Sequence, residues 1–173
     1  MKRRLAQAGA PASLGRRQVS RALALGLATI GLADLPALAA GTSADRDRIA
    51  RTFTAFCDTL VPADELTPSA SALRVPGTIL DDVAGDALAE RLLAAGCNWL
   101  DAACNGDFAS AAEGARIAAC EKMQTLPWQS PPGRFFHLMR NTVMAEYYVQ
   151  PASWHGLALT RTPQPLGFFD AVR

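Results

Sequence analysis

Apolar residues recur three and four positions apart in four segments of this chain, and turn-forming residues separate those segments. Leu88, Leu92 and Trp99, for example, stand four and seven positions apart, which places them on one face of a helix. No run of residues alternates cleanly between apolar and polar types, as a half-buried strand would. The pattern therefore predicts an all-α fold, with helices at about 45–60, 78–103, 111–126 and 133–150.

Capping residues and prolines predict where these helices begin and end. Ser43 or Asp45 can accept hydrogen bonds from the first N–H groups of the first helix, and Pro62 ends that helix. A proline-containing loop follows, and we predict one long helix over about 78–103. The helix at 133–150 is apolar nearly all round, which is typical of a helix at the centre of a fold or covered by a partner.

The first 39 residues carry a pattern that directs export. Arg16 and Arg17 stand directly before a weakly hydrophobic run, Ala22–Leu32, as in a twin-arginine signal. That run is shorter than the roughly 20 residues that span a bilayer. A small-x-small pattern ends at Ala39 and predicts cleavage there. An ordinary secretory signal and an uncleaved anchor are the alternatives.

We therefore divide the chain into an export signal, residues 1–39, and a single helical domain, residues 40–173. Without the six basic residues and Asp34 of the signal, 11 Lys and Arg and 15 Asp and Glu remain, which is a net charge of −4. About 134 residues suffice for one domain with one core. Because no run of Lys or Arg follows the signal, the composition disfavours nucleic-acid binding, which depends on phosphate neutralisation.

All four cysteines lie in the exported part, at Cys57, Cys97, Cys104 and Cys120. An even number of cysteines in an oxidising compartment favours disulfides, with three possible pairings. If the second and third predicted helices are antiparallel, Cys97 and Cys120 lie roughly level, and this is the pair we expect. Cys57 and Cys104 remain as the second pair.

The sequence lacks the common motifs that indicate a bound cofactor or a catalytic residue. The sequence has no G-x-G-x-x-G run, no P-loop, no C-x-x-C-H haem attachment and no G-x-S-x-G elbow. A metal site is the alternative use of the cysteines, but no two of them form a C-x-x-C pair, and His137 and His155 are distant in sequence. We therefore predict no cofactor and no metal in this chain.

Four acidic or basic side chains merit a structural interpretation first. Asp58 and Asp64 are a conceivable pair of catalytic carboxylates, but Asp64 follows a proline turn and is better explained by bonds to local backbone N–H groups. Glu146 lies among apolar residues, where an arginine such as Arg140 would be its simplest partner. His137 adjoins two phenylalanines and is expected to pack against them. The sequence therefore predicts no catalytic residue.

Three stretches carry a resemblance to a known family. FCDTLVPADELTPSASALRVPGTI (56–79) resembles the D-t-l-i-P-x-D segment of the small subunit of gluconate 2-dehydrogenase. RFFHLMRNTVMAEYYVQPASWHGLAL (134–159) is similar to that family's later F-F-x-L-x-R-x-x-T stretch, and TPQPLGFF (162–169) to its Pro-Gly ending. The chain departs from the family at Trp154-His155-Gly156, where an aromatic-Gly-Gly-Asn turn is expected.

The resemblance implies a subunit of a three-part periplasmic dehydrogenase that is associated with the membrane through its complex. The large subunit would be an FAD-dependent flavoprotein that oxidises a sugar, sugar acid or polyol, and a multihaem c-type cytochrome would pass its electrons on. The small subunit would hold no cofactor, carry the signal for the twin-arginine translocase and assist maturation and export of the flavoprotein. A stand-alone exported helical protein, either metal-binding or an enzyme of unfamiliar type, is the alternative.

A binding subunit must bury part of its surface against its partner. Aromatic residues are enriched where interfaces lose water, so the candidates are Phe136, Tyr147, Tyr148, Trp154, Phe168 and Phe169. The last 22 residues show no period, which predicts an extended arm rich in proline and aromatic residues. We expect this arm, more than the helix, to lie against the flavoprotein.

Overall fold

The structure, a computed structural model, describes residues 42–157. They form five α-helices followed by a 3-10 helix: α1 (Ser43–Leu60), α2 (Val75–Val83), α3 (Ala87–Ala103), α4 (Glu113–Gln124), α5 (Pro131–Tyr148) and the 3-10 helix Pro151–Leu157. No residue in this part of the chain is in a strand. The all-α prediction is confirmed. The predicted export signal, with Arg16, Arg17 and Ala39, and the residues Phe168 and Phe169 of the predicted arm lie outside the described residues.

The N-cap of helix α1 is neither of the two predicted caps, Ser43 or Asp45, and lies one residue before Ser43. This N-cap is Thr42, whose hydroxyl accepts a hydrogen bond from the N–H of Asp45 at 3.2 Å. The Asp45 carboxylate in turn accepts one from the N–H of Thr42 at 3.1 Å, which completes a capping box. The sequence contained the capping pair, but Ser43 is inside the helix. The helix ends at Leu60, as Pro62 predicted.

The long helix predicted over 78–103 is wrong, because two helices occupy that region. Helix α2 begins at Val75, after Arg74 in a left-handed conformation, with Pro76 in its first turn. Gly85 has φ +86°, which a glycine adopts without the strain that a Cβ would bring. Asp86 then caps α3, because its carboxylate accepts hydrogen bonds from two N–H groups of the first turn.

Helices α1 and α5 each contact all four other α-helices. Four phenylalanines join them, with ring centroids 5.2 Å apart for Phe56 and Phe135 and 6.1 Å apart for Phe56 and Phe136. Gly96 of α3 faces the Phe135 ring so closely that a Cβ there would lie 2.1 Å from it. The sequence left two alternatives for the apolar helix at 133–150, a central position or cover by a partner, and in the structure this helix is central.

The core is built from apolar side chains of every helix and of the loop after α3. Its largest fully buried members are Phe53, Phe56, Ile79, Leu92, Leu100, Phe108, Met123, Phe135, Met139 and Tyr147. Across residues 42–157, none of the helices is long and apolar enough to cross a membrane.

Candidate functional site

The loop after α1 is fastened to the C-terminal end of α5. The Tyr147 hydroxyl donates a hydrogen bond to the carbonyl oxygen of Pro68 at 2.7 Å. Two residues after the helix, the Gln150 side-chain amide donates to the carbonyl oxygen of Leu73 at 3.2 Å. Residues 61–74 therefore lie at the end of the molecule from which the C-terminal segment leaves.

The 3-10 helix is fixed at the same end by hydrogen bonds to the chain that precedes it. The buried Ser153 hydroxyl donates to the carbonyl oxygen of Gln150 at 2.8 Å. The indole N–H of the half-buried Trp154 donates to the carbonyl oxygen of Tyr148 at 2.8 Å. These bonds satisfy backbone groups that the end of α5 would otherwise leave without partners. They also give this end a fixed geometry.

Apolar side chains at this end remain open to solvent. Leu66 is 61% exposed, Tyr148 51% and Val149 67%. Tyr148 and Val149 are adjacent in the chain, and Leu66 lies in the loop that Tyr147 holds at this helix end; we call these three residues the Tyr148 surface. The Tyr148 ring meets the buried Tyr147 ring edge-on, with centroids 5.2 Å apart, so the base of the exposed ring is held in place. Ile117 of α4 is the remaining exposed large apolar residue of the described chain.

The residues predicted to contact a partner separate into two groups. Phe136 and Tyr147 are 3% and 2% exposed and lie in the chain's own core, so neither is available to a partner in this structure. Tyr148 is exposed and Trp154 is half-buried beside it. The prediction treated the apolar residues of the last helix as one set, because sequence spacing alone does not say which of its faces other helices cover.

Leu66 and Val149 were missed. Leu66 lies in a polar, proline-containing loop, where an isolated apolar residue carries little signal. Val149 directly follows the last helix, and the prediction placed it inside that helix. Its position just before Gln150-Pro151, where the helix has to end, was the available signal that Val149 lies past the helix.

Asp58 and Asp64 each bind backbone N–H groups of the loop after α1. The Asp58 carboxylate accepts a hydrogen bond from Ser71 N at 2.7 Å. That of Asp64 accepts from Leu66 N at 2.8 Å and Thr67 N at 2.6 Å, and these bonds lower the pKa of Asp64. The structural interpretation of Asp64 is confirmed, and both carboxylates hold the shape of the loop that carries Leu66.

A buried carboxylate that the sequence analysis did not single out connects α1 to α3. Asp101 is 6% exposed and forms an ion pair with the Arg48 guanidinium. It also accepts hydrogen bonds from the Thr52 hydroxyl at 2.8 Å and from the N–H of Phe108 at 3.2 Å. Both of its oxygens thus accept hydrogen bonds from α1 or from the loop before α4, so the role of Asp101 is to hold these elements together. An aspartate in the last turn of an apolar helix was the available signal.

The remaining side chains singled out from the sequence have packing roles. The half-buried His137 ring lies 5.7 Å from that of Phe136 and 6.1 Å from that of Trp128, as expected. Within residues 42–157, Glu146 forms no ion pair with Arg140, so the pairing expected from the sequence is wrong. Burial, and then the nearby charge of Asp82, raise the pKa of Glu146.

The four cysteines are free thiols. Burial raises the pKa of every one, most strongly for Cys57 and Cys97 in the core. A raised pKa keeps each thiol protonated at neutral pH and so slows its reaction as a nucleophile and weakens it as a metal ligand, because both roles use the thiolate. Residues 42–157 contain no cluster of three or more His, Cys, Asp or Glu side chains placed to hold a metal ion.

An open groove of about 670 Å³ lies between the start of α1, the end of α2 and α3. Its rim carries charges of both signs, among them Asp47, Arg48 and Glu90, and its floor includes Ile49, Leu80 and Leu93. It contains no histidine or cysteine. Asp45, in the first turn of α1, also lines this groove.

One comparison with known proteins gives a match. The family model described as gluconate 2-dehydrogenase subunit 3 matches residues 47–158, which include all five α-helices apart from the first four residues of α1. Neither the curated proteins nor the solved structures contain a significant match to the chain.

Proposed function

Because the chain belongs to the gluconate 2-dehydrogenase subunit 3 family, we propose that it is the non-catalytic small subunit of a periplasmic, FAD-dependent dehydrogenase. The FAD would be held by a flavoprotein large subunit that oxidises a sugar, sugar acid or polyol, and haem c by a multihaem cytochrome subunit. The small subunit assists the maturation of the flavoprotein and carries the export signal for both chains. The complex is associated with the membrane through its other subunits.

The family match carries this proposal, because the family is that of a dehydrogenase subunit. Two features of the fold support it. First, the buried or hydrogen-bonded carboxylates Asp58, Asp64 and Asp101 are occupied in holding loops and helices together. Second, the Tyr148 surface exposes a tyrosine and two aliphatic side chains on a loop and helix end that are fixed from behind.

The Tyr148 surface is the part of the described chain that we assign to the flavoprotein. Apolar side chains grouped at one end of a molecule mark interaction sites more often than isolated ones do. Aromatic anchors carry a large share of interface energy. The predicted arm begins within the 3-10 helix at the same end, so its first residues are helical rather than extended, and in the chain it follows soon after Tyr148 and Val149.

Export of both chains would depend on Arg16 and Arg17. Twin-arginine signals are exported with folded cargo, so a small chain that bears one can carry a bound flavoprotein with its cofactor already installed. This role requires that the two subunits associate before export, and the Tyr148 surface would then be covered in the cytoplasm.

Co-purification of the flavoprotein with a tagged small subunit tests the interface. Tyr148→Ala removes an aromatic anchor, which in interfaces costs about 2 kcal/mol, or roughly 30-fold in the dissociation constant. Val149→Glu places a charge on the same surface and is expected to abolish co-purification. Ile117→Glu, at an exposed apolar position on α4, is the matched control and is expected to leave binding intact.

Circular dichroism of each variant separates lost binding from lost folding. All three substituted side chains are at least 42% exposed, so we expect each variant to fold. If Val149→Glu folds and still retains the flavoprotein as tightly as the unmodified chain, the interface lies elsewhere. If the tagged chain never brings down a flavin-containing protein, the proposed function is wrong.

A further inference from the structure

The end of α3 brings one thiol to the backbone of α4. Cys104 is the C-cap of α3, and its sulfur lies 3.8 Å from the carbonyl oxygen of Ala115. In an α-helix that carbonyl accepts the N–H of residue 119, over about 3 Å. The Cys104 sulfur is therefore within about 7 Å of the Ala119 nitrogen. The residue after Ala119 is Cys120, which is 6% exposed.

The electrostatics of the two thiols place them in one local environment. Burial raises the pKa of Cys120 to about 12, and the neighbouring Cys104 adds to this rise. Burial also raises the pKa of Cys104. The guanidinium of Arg116, on α4 between the two, acts in the opposite direction on both. The two thiols thus share a charged neighbour, and Cys104 also acts on Cys120.

Cys57 and Cys97 are also close enough to interact, since Cys97 adds to the raised pKa of Cys57, but the backbone contact of Cys97 places this pair less favourably. The Cys97 sulfur lies 3.8 Å from the carbonyl oxygen of Ile49, on α1 rather than on α4. That carbonyl accepts from the N–H of residue 53, and Cys57 is four residues further on, about 6 Å along the helix axis. For Cys104, the residue whose N–H donates to the contacted carbonyl is Ala119, and Cys120 is only one residue further on. Cys97 and Cys104 themselves are seven residues apart, about 10 Å along α3, which is beyond the roughly 7 Å that a disulfide allows between Cα atoms.

We propose that Cys104 and Cys120 form a disulfide after export, and that this bond links the end of α3 to the middle of α4. The geometry thus points to a different pair from the Cys97–Cys120 pair expected from the sequence. The proposal rests on the proposed function in one respect, which is that export brings the chain into an oxidising compartment.

The oxidant is a thiol–disulfide oxidoreductase of that compartment, which supplies a disulfide. The Cys104 thiolate, the more accessible of the two, attacks one sulfur of the oxidant and forms a mixed disulfide, and the oxidant's other sulfur leaves as a thiol. The Cys120 thiolate then attacks the Cys104 sulfur and releases the second thiol of the oxidant. Two thiols of this chain are oxidised, one disulfide of the oxidant is reduced, and the two protons end on the oxidant's thiols.

The disulfide would close a short loop around the turn between α3 and α4. That turn contains Asn105 and Gly106, both with positive φ. Closing it reduces the number of conformations open to the unfolded chain. The oxidised protein is therefore expected to unfold several degrees higher than the reduced protein.

Peptide mapping under non-reducing conditions identifies the pair. Cleavage after Lys and Arg and before Asp separates every cysteine into its own fragment, and the fragments are 52–57, 92–100, 101–106 and 117–122. After free thiols are alkylated, the proposal predicts that 101–106 is found joined to 117–122, with 52–57 and 92–100 alkylated. The map is made twice, on chain isolated from the periplasm and on reduced full-length chain oxidised in vitro with glutathione disulfide.

The two samples separate two questions, which cysteines pair and whether the chain reaches an oxidising compartment. Linkage of 101–106 to 117–122 in both supports the proposal. Linkage only in vitro supports the pairing and counts against export, and so against the proposed function. Alkylated Cys104 and Cys120 in the oxidised sample, or linkage of either to Cys57 or Cys97, overturns the proposal.

Two variants serve as controls for the stability effect. The Cys57→Ala/Cys97→Ala chain retains the proposed pair and is expected to show the same rise in unfolding temperature on oxidation. Cys120→Ser is expected to lose that rise. If the rise persists in Cys120→Ser, the bond is not the one proposed.

Discussion

At the residue scale, Asp101 accepts hydrogen bonds from Arg48 and Thr52 of α1 and from the N–H of Phe108. The two members of the ion pair differ in exposure, since the Arg48 side chain is 34% exposed and that of Asp101 is 8% exposed. Arginine could therefore turn to water if its partner were lost, whereas the carboxylate would stay buried. This difference predicts unequal effects of removing each partner.

Arg48→Met is expected to reduce the free energy of unfolding by about 3 kcal/mol, because it leaves a buried carboxylate without its counter-ion. Asp101→Asn is expected to cost less, since the amide oxygen can still accept from Thr52 and Phe108. In the double variant part of the Arg48→Met loss should be recovered, which is a coupling that urea denaturation of the four chains measures. Equal losses in the two single variants, with no coupling, would contradict this account.

Glu146 predicts a pH dependence at the same scale. Its pKa is raised from its ordinary value of 4.5 by burial and then by Asp82. The folded state therefore binds the proton more tightly than the unfolded state does. The resulting stability is fully present below the unfolded pKa and is lost as the pH rises through the folded pKa.

Glu146→Gln is expected to raise the unfolding temperature at pH 7 slightly and to leave it nearly unchanged at pH 4, where the glutamate is protonated. Thermal unfolding at both pH values measures the difference between variant and unmodified chain. Glu121→Gln, at an exposed position of α4, is the control and should have little effect. A stabilisation by Glu146→Gln that is larger at pH 4 than at pH 7 would contradict the sign.

At the element scale, the packing of α3 against α5 depends on the absence of one side chain. A Cβ at Gly96 would lie 2.1 to 2.4 Å from three ring carbons of Phe135. The ring cannot withdraw freely, because Phe53 and Phe56 lie behind it with centroids 6.4 and 5.2 Å away. The two helices would have to move apart to admit a methyl group.

Gly96→Ala is therefore expected to lower the free energy of unfolding by about 3 kcal/mol, at the upper end of overpacking effects, even though alanine is the better helix former. Gly114→Ala in α4 is the matched control, because nothing lies within 4 Å of its added Cβ. It should stabilise the chain by up to about 1 kcal/mol. Urea denaturation decides the comparison, and an unchanged midpoint for Gly96→Ala would show that the helices can separate at little cost.

At the scale of the whole molecule, we propose separate tasks for the helical domain and for the predicted export signal. The domain folds around α1 and α5 and presents the Tyr148 surface, whereas the signal would determine where the chain and its partner are delivered. The predicted signal contains a second arginine pair, Arg3-Arg4, which is distant in sequence from the apolar run Ala22–Leu32. This second pair provides an internal control for the proposed signal.

Replacement of Arg16 and Arg17 by lysine is expected to keep both this chain and the flavoprotein in the cytoplasm, because the translocase reads the arginine pair next to the apolar run. Replacement of Arg3 and Arg4 by lysine should leave export intact. Immunoblots of periplasmic and cytoplasmic fractions, with flavin fluorescence for the partner, provide the measurement. Normal periplasmic flavoprotein in the first double variant would refute the role of the signal.

The sequence by itself determined the helical class and most helix ends. These features depend on residues only a few positions apart, so the sequence itself contains the information. Examples are the spacing of Leu88, Leu92 and Trp99, the proline after α1 and the capping residues at Thr42–Asp45. The same locality explains the correct interpretation of Asp64, whose partners are two and three residues away. The break at Gly85 was also local, and it was missed because the apolar period continues across it.

The tertiary structure alone decided which apolar residues face outward and which polar residues meet. Tyr147 is buried and Tyr148 exposed although they are adjacent, because the loop carrying Pro68 covers one side of the helix end. Asp101 meets Arg48 across 53 positions, and Cys104 meets the backbone of α4 rather than Cys57. These contacts follow from how the helices cross, and the crossing is set by side chains distant in sequence, such as Gly96 and Phe135, that must fit together in space.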